Sequence, residues 1–111
     1  MYVYSFIHTT YSWCDNDYVV DTHEIFETYE DALIYFEAKM ESKIREYLSE
    51  ANVQTLEEFE DEFCYVSMPN FKDRTEPKDI SDYSWPNFYI SLDEYGSETM
   101  QLIKRRVMKF N

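Results

Sequence analysis

The sequence predicts an α+β fold: an antiparallel sheet of two hairpins, one N-terminal and one C-terminal, with a long helix over about 29–51 and a short acidic helix over about 56–63 on one face. Three observations carry this expectation. Aromatic and β-branched residues crowd the first 26 positions. Apolar residues then recur at three- and four-residue steps. Near the C-terminus the pattern changes to strict alternation.

Residues 2–11 contain Tyr2, Val3, Tyr4, Phe6, Ile7 and Tyr11, side chains that suit a pleated surface. Cys14-Asp15-Asn16-Asp17 supplies turn residues that tolerate left-handed backbone. Residues 18–26, with Val19, Val20, Ile25 and Phe26, complete a hairpin. A turn centred on Asp15-Asn16 sets Phe6 opposite Ile25, Trp13 opposite Tyr18 and His8 opposite His23. One face of this hairpin then carries Tyr2, Tyr4, Phe6 and Ile25. The other carries Val3, Ile7, Tyr11, Trp13, Val20 and Phe26. Two apolar faces are one more than a single helical layer can cover. Tyr11, Trp13, Val20 and Phe26 are therefore expected to meet the loop 69–86, a second copy of the chain or another partner.

Thr28 is an N-cap, and Glu30 and Asp31 complement the helix dipole behind it. Leu33, Phe36, Met40, Ile44, Tyr47 and Ala51 form the apolar stripe of the long helix. Thr55-Leu56-Glu57-Glu58 has capping-box spacing and opens the second helix, whose apolar edge is Leu56, Phe59 and Phe63. Tyr65 and Val66 suggest a short strand in 64–68. Pro69, Pro77 and Pro86 punctuate an irregular loop over 69–86 that also holds Phe71, Tyr83 and Trp85. Phe88, Ile90 and Leu92 alternate with Tyr89, Ser91 and Asp93, as in a half-buried strand. The turn after it holds the chain's one glycine, Gly96. Residues 99–109 fit either a helix or a hairpin strand, and the preceding strand and turn favour the strand.

At 111 residues the chain is expected to form one domain over 1–111. Leu, Ile, Val and Phe number 26, close to the lower bound for a folded charged chain. The 21 aromatics add enough apolar area for a core, because each can bury roughly 150–250 Å². No apolar run approaches the ~20 residues of a membrane helix. Met1-Tyr2-Val3-Tyr4 does not open a secretion signal, so a cytoplasmic location and free thiols at Cys14 and Cys64 are expected.

Charge is the strongest compositional signal. The net charge is −13, from 23 acids and 10 bases. Residues 1–62 hold sixteen acids and three bases, whereas 99–111 hold four bases and no acid. Phosphate would repel such a chain, so direct nucleic-acid binding is not expected. No phosphate loop, nucleotide fingerprint, HExxH or CxxC motif occurs. A single glycine also argues against a backbone phosphate cradle. No cofactor and no enzymatic activity are expected. The one metal reading pairs His8 with His23 across the hairpin, with Asp21 or Cys14 in support.

The expected function is non-catalytic interaction through an acidic surface with a basic protein surface. Its sharpest form is an inhibitor or regulator of a nucleic-acid-handling protein, of the kind phages and mobile elements encode, with carboxylates standing in for DNA phosphates. Glu57, Glu58, Glu60, Asp61 and Glu62, with Glu37 and Glu41 on the long helix and Tyr83 and Trp85 in the loop, are the candidate contacts. An accessory module that dimerises through Tyr11, Trp13, Val20 and Phe26 is the alternative.

Overall fold

The computed structural model describes residues 1–12, 14–15, 17–62, 64–69, 74–81, 84–92 and 96–108. In chain order the elements are β1 (Tyr2–Ser12), β2 (Asp17–Phe26), α1 (Tyr29–Ala51), α2 (Leu56–Glu62), β3 (Cys64–Ser67), β4 (Asn87–Leu92) and β5 (Gly96–Arg106). The strands form one open antiparallel sheet in the order β2-β1-β5-β4-β3, and both helices lie on one face of it. The α+β architecture is the one the sequence predicts. The central pairing joins β1 to β5, so the N-terminal hairpin and the C-terminal strands share one sheet.

Helix α1 starts and stops for local reasons. Thr28 Oγ1 accepts the Asp31 amide at 3.2 Å, which satisfies one of the free donors of the first turn. At the far end Asn52 takes a left-handed conformation, φ 56, and its amide donates to the carbonyls of Leu48 and Ser49. Asn tolerates that region at small cost. Leu33, Phe36 and Met40 are buried, Ile44 and Tyr47 are half-buried, and Ala51 is exposed. The apolar stripe leaves the sheet over its last turn.

The core lies between α1 and the sheet. Phe6, Leu33, Phe36, Phe88, Ile90, Met100 and Leu102 are its largest fully enclosed members. Phe6 meets Tyr35 and Phe36 edge-on, with centroids at 5.0 and 6.0 Å, an arrangement that adds roughly 0.5–1.5 kcal/mol per pair to the area term.

The first hairpin departs from the expected register. Tyr4 pairs with Phe26, Ser5 with Ile25, Ile7 with His23 and His8 with Thr22. The register then shifts between His8 and Thr9, so that Thr9 meets Val20 and Tyr11 meets Tyr18. Asp21 is the extra residue, a β-bulge. A one-residue shift moves side chains to the other face. Phe26 accordingly packs under the helix against Tyr35, centroids 5.1 Å apart, and Ile25 lies on the outer face. The set Tyr11, Val20, Phe26 is thus split between faces, and Trp13 lies outside the described residues. His8 and His23 also end on opposite faces, which removes the paired-histidine metal reading.

Strand β5 begins at Gly96, earlier than expected, and its register puts Gly96, Glu98, Met100 and Leu102 inward. Cover of the second sheet face by the loop is not seen among its described residues, 74–81 and 84–86. Trp85 instead lies on the helical side, where it packs beside Tyr4 and Tyr29 and its Nε1 donates to the Asp79 carbonyl at 2.8 Å. Tyr4 donates its hydroxyl proton to Glu76 in the same segment.

The outer sheet face is therefore open among the described residues. It carries Val3, Ser5, Ile7, Thr9 and Tyr11 from β1, and Tyr18, Val20, His23 and Ile25 from β2. Ser97, Thr99, Gln101, Ile103 and Arg105 come from β5, Asn87, Tyr89 and Ser91 from β4, and Tyr65 and Ser67 from β3. None of these is Asp or Glu, in a chain with 23 acids.

Candidate functional site

Three strands and α1 converge on one carboxylate. Glu98 follows the inward alternation of β5, its side chain 8% exposed. His8 reaches it from β1, with Nε2 3.1 Å from Glu98 Oε1. Tyr47 on α1 donates its hydroxyl to Glu98 Oε2. The Lys43 ammonium, one turn earlier, lies 3.6 Å from Oε1 and 3.4 Å from Glu46. The bulge turns Asp21 to the same side, where it accepts from Thr10 Oγ1 and stands 3.8 Å from His8 Nε2.

The electrostatics follow from this packing. Burial alone would push the Glu98 carboxyl up. Hydrogen bonds from His8 and Tyr47, together with the Lys43 charge, outweigh burial and hold it below the usual carboxylate range. Burial would lower the Lys43 ammonium, and the carboxylates of Glu98 and Glu46 reverse that and raise it. Burial, reinforced by the bond to Glu98, raises the Tyr47 hydroxyl. Glu98 is thus a fixed anion beneath the helix. A cavity of about 210 Å³ opens beside it, lined by His8, Thr22, Lys39, Ser42, Lys43, Glu46 and Met100.

Sequence reasoning did not single out Glu98. The available signal was an acid in phase with Met100 and Leu102, and it becomes visible only when the strand is read from Gly96.

The predicted contact residues fall in several places. Glu57 and Glu60 are exposed on α2, and Glu41 is exposed on α1. Glu58 is exposed but occupied. Its amide donates to Thr55 Oγ1 at 3.2 Å, and its carboxylate accepts the Gln54 amide at 3.3 Å, which closes the predicted cap. Glu37 is half-buried and ion-paired with Arg74. Trp85, expected among the partner contacts, is a core residue, 8% exposed, because its indole fills the gap between Tyr4 and Tyr29. Tyr83 and the side chains of Asp61 and Glu62 lie outside the described residues. Tyr11 and Tyr18 stack on the outer face with centroids 4.5 Å apart, and Val20 is exposed there. Cys14 is an exposed free thiol. No helix is long and apolar enough to cross a membrane. Comparison with protein-family models, with curated proteins and with solved structures finds no match.

Proposed function

We propose that this chain is a non-catalytic interaction module whose acidic helical layer docks on a basic protein surface. The observation that carries the reading is the segregation of charge. Residues 27–62, the segment of both helices, hold twelve acids and three bases. Among the described residues, the outer sheet face holds no acid. Glu41, Glu46, Glu50, Glu57 and Glu60 are exposed on the helical side. Such a concentration steers association with a basic partner and suppresses association with nucleic acid. The sharpest version has that partner as a nucleic-acid-binding protein, whose phosphate-reading groove the carboxylates occupy.

The test is capture from a bacterial lysate on the immobilised chain, at low and high salt, beside the variant Glu41→Lys/Glu57→Lys/Glu60→Lys. Expected are basic nucleic-acid-binding proteins held at low salt, released at high salt, displaced by duplex DNA and not captured by the variant. Exposed charges contribute only tenths of a kcal/mol, so the variant stays folded. Capture that ignores the reversal removes the helical face from the binding site.

A second reading is self-association through the outer sheet face. Its support is that Val20, Ile25 and Tyr65 are 60%, 62% and 62% exposed there. A face without described carboxylates also minimises repulsion between two copies of charge −13. Light scattering on the wild type and on Ile25→Lys separates the cases: a dimer that the substitution turns into a monomer supports this reading, and a wild-type monomer at high concentration ends it.

A further inference from the structure

We propose that His8, Asp21 and Glu98 form a binding site for a divalent transition-metal ion, with Zn²⁺ as the ion their donors suit. Their ligand atoms all lie within 4.8 Å of one another. One imidazole nitrogen and two carboxylates make a mixed N/O set, which zinc accepts at about 2.0–2.2 Å from each donor. The 3.1 Å between His8 Nε2 and Glu98 Oε1 already matches the bite of two ligands on one such ion.

The three donors stand on three adjacent strands, β2, β1 and β5, so the sheet sets their spacing before any ion arrives. The bulge in β2 is what delivers Asp21; in an unbroken ladder that position would not join His8 on the helical side. Tyr47 holds the second oxygen of Glu98, the kind of outer hydrogen bond that orients a metal-bound carboxylate. The burial is graded from 8% at Glu98 through 13% at His8 to 37% at Asp21, so an ion enters from the Asp21 side. The adjoining cavity of about 210 Å³ gives room for water in the remaining coordination position.

Lys43 is the competitor. Its ammonium occupies the space beside Glu98 Oε1 at 3.6 Å, and Glu46 at 3.4 Å offers it an alternative partner when an ion displaces it. Removing the Lys43 charge therefore strengthens metal binding. This prediction distinguishes an ion site from an internal ion network, because a network is weakened by the same change.

Calorimetric titration of the full chain with ZnCl₂ tests the proposal, with circular dichroism on each metal-free variant to establish folding. The wild type is expected to show one saturable site. His8→Asn and Asp21→Asn each lower the affinity at least tenfold, and Lys43→Gln raises it several-fold. His23→Ala, on the opposite face, leaves it unchanged. Asp21 is the most exposed of the three donors, so Asp21→Asn reports on the ligand set even where His8→Asn unfolds. Absence of a saturable site, unchanged affinity in Asp21→Asn, loss of binding in His23→Ala, or weaker binding in Lys43→Gln would each overturn the assignment.

Discussion

Gly96 is the position where one added methyl group should do most damage. Its φ of 141 lies in a region that L side chains rarely adopt. A Cβ built there would stand 1.9 Å from the Tyr11 carbonyl oxygen and 3.3 Å from Ser12 Cα. Both contacts are backbone, so no side chain can swing away. Ordinary contact at 3.4 Å requires β5 and β1 to separate by about 1.5 Å at this end, which stretches the adjoining ladder hydrogen bonds beyond bonding distance. Backbone strain of about 1–3 kcal/mol adds to roughly 1 kcal/mol for each ladder bond lost. Gly96→Ala should therefore destabilise the fold by about 3–5 kcal/mol, a large part of the 5–15 kcal/mol typical of a domain. Urea denaturation of Gly96→Ala, with the neighbouring Ser97→Ala as a reference, measures it. A loss below about 1 kcal/mol for Gly96→Ala would refute the argument, because it would mean that β1 and β5 do not approach as described.

Three further outcomes follow from the packing. Thr28→Ala removes the acceptor of the Asp31 amide and should cost about 1 kcal/mol, read from the denaturation midpoint, with α1 otherwise intact. Phe88→Ala, at a fully enclosed site between sheet and helix, should cost about 3–5 kcal/mol in the same assay. Burial, and then the bond to Glu76, pushes the Tyr4 hydroxyl from 10.0 up to about 12. A group raised on folding contributes stability that is fully present below its unfolded value and is lost as pH rises through its folded value. Stability should therefore fall as pH rises from about 10 to about 12, where this group ionises. Tyr4→Phe should flatten that slope in denaturation measured across the range.

Much of the local structure was readable because its causes are local. Thr28 opens α1 through a cap that involves residues within one turn, and the Thr55–Glu58 box does the same for α2. The alternation from Phe88 to Leu92 marked β4 correctly, because one face of that strand is buried. What escaped is what depends on partners far away in the chain. The bulge at Asp21 has no residue signature of its own and changes which side chains of β2 face the helix. Gly96 suggested a turn, yet its glycine is required by the carbonyl of Tyr11 on another strand. Trp85, in a loop of prolines and charges, could be read either as packed down or as a partner contact. Its burial follows from Tyr4 and Tyr29, which no local pattern connects to it. The cluster around Glu98 escaped for the same reason: its members come from β1, β2, α1 and β5.

The interior place of β1, between β2 and β5, also has a consequence for how the chain folds. His8 and Glu98 are neighbours in the sheet and 90 residues apart in sequence, so closing the middle of the sheet is a slow, late event compared with forming α1. Until β5 arrives, one edge of β1 has free amides and carbonyls. The segment Tyr2–Ser12 has eleven residues without a formal charge, a glycine or a proline. It is rich in aromatic and β-branched side chains, the composition that stacks into cross-β assemblies. A chain interrupted before Gly96 would leave that edge permanently bare. Fibril formation by such a truncated chain, measured by thioflavin fluorescence, is the expected cost of building the sheet around a strand whose partner is synthesised last.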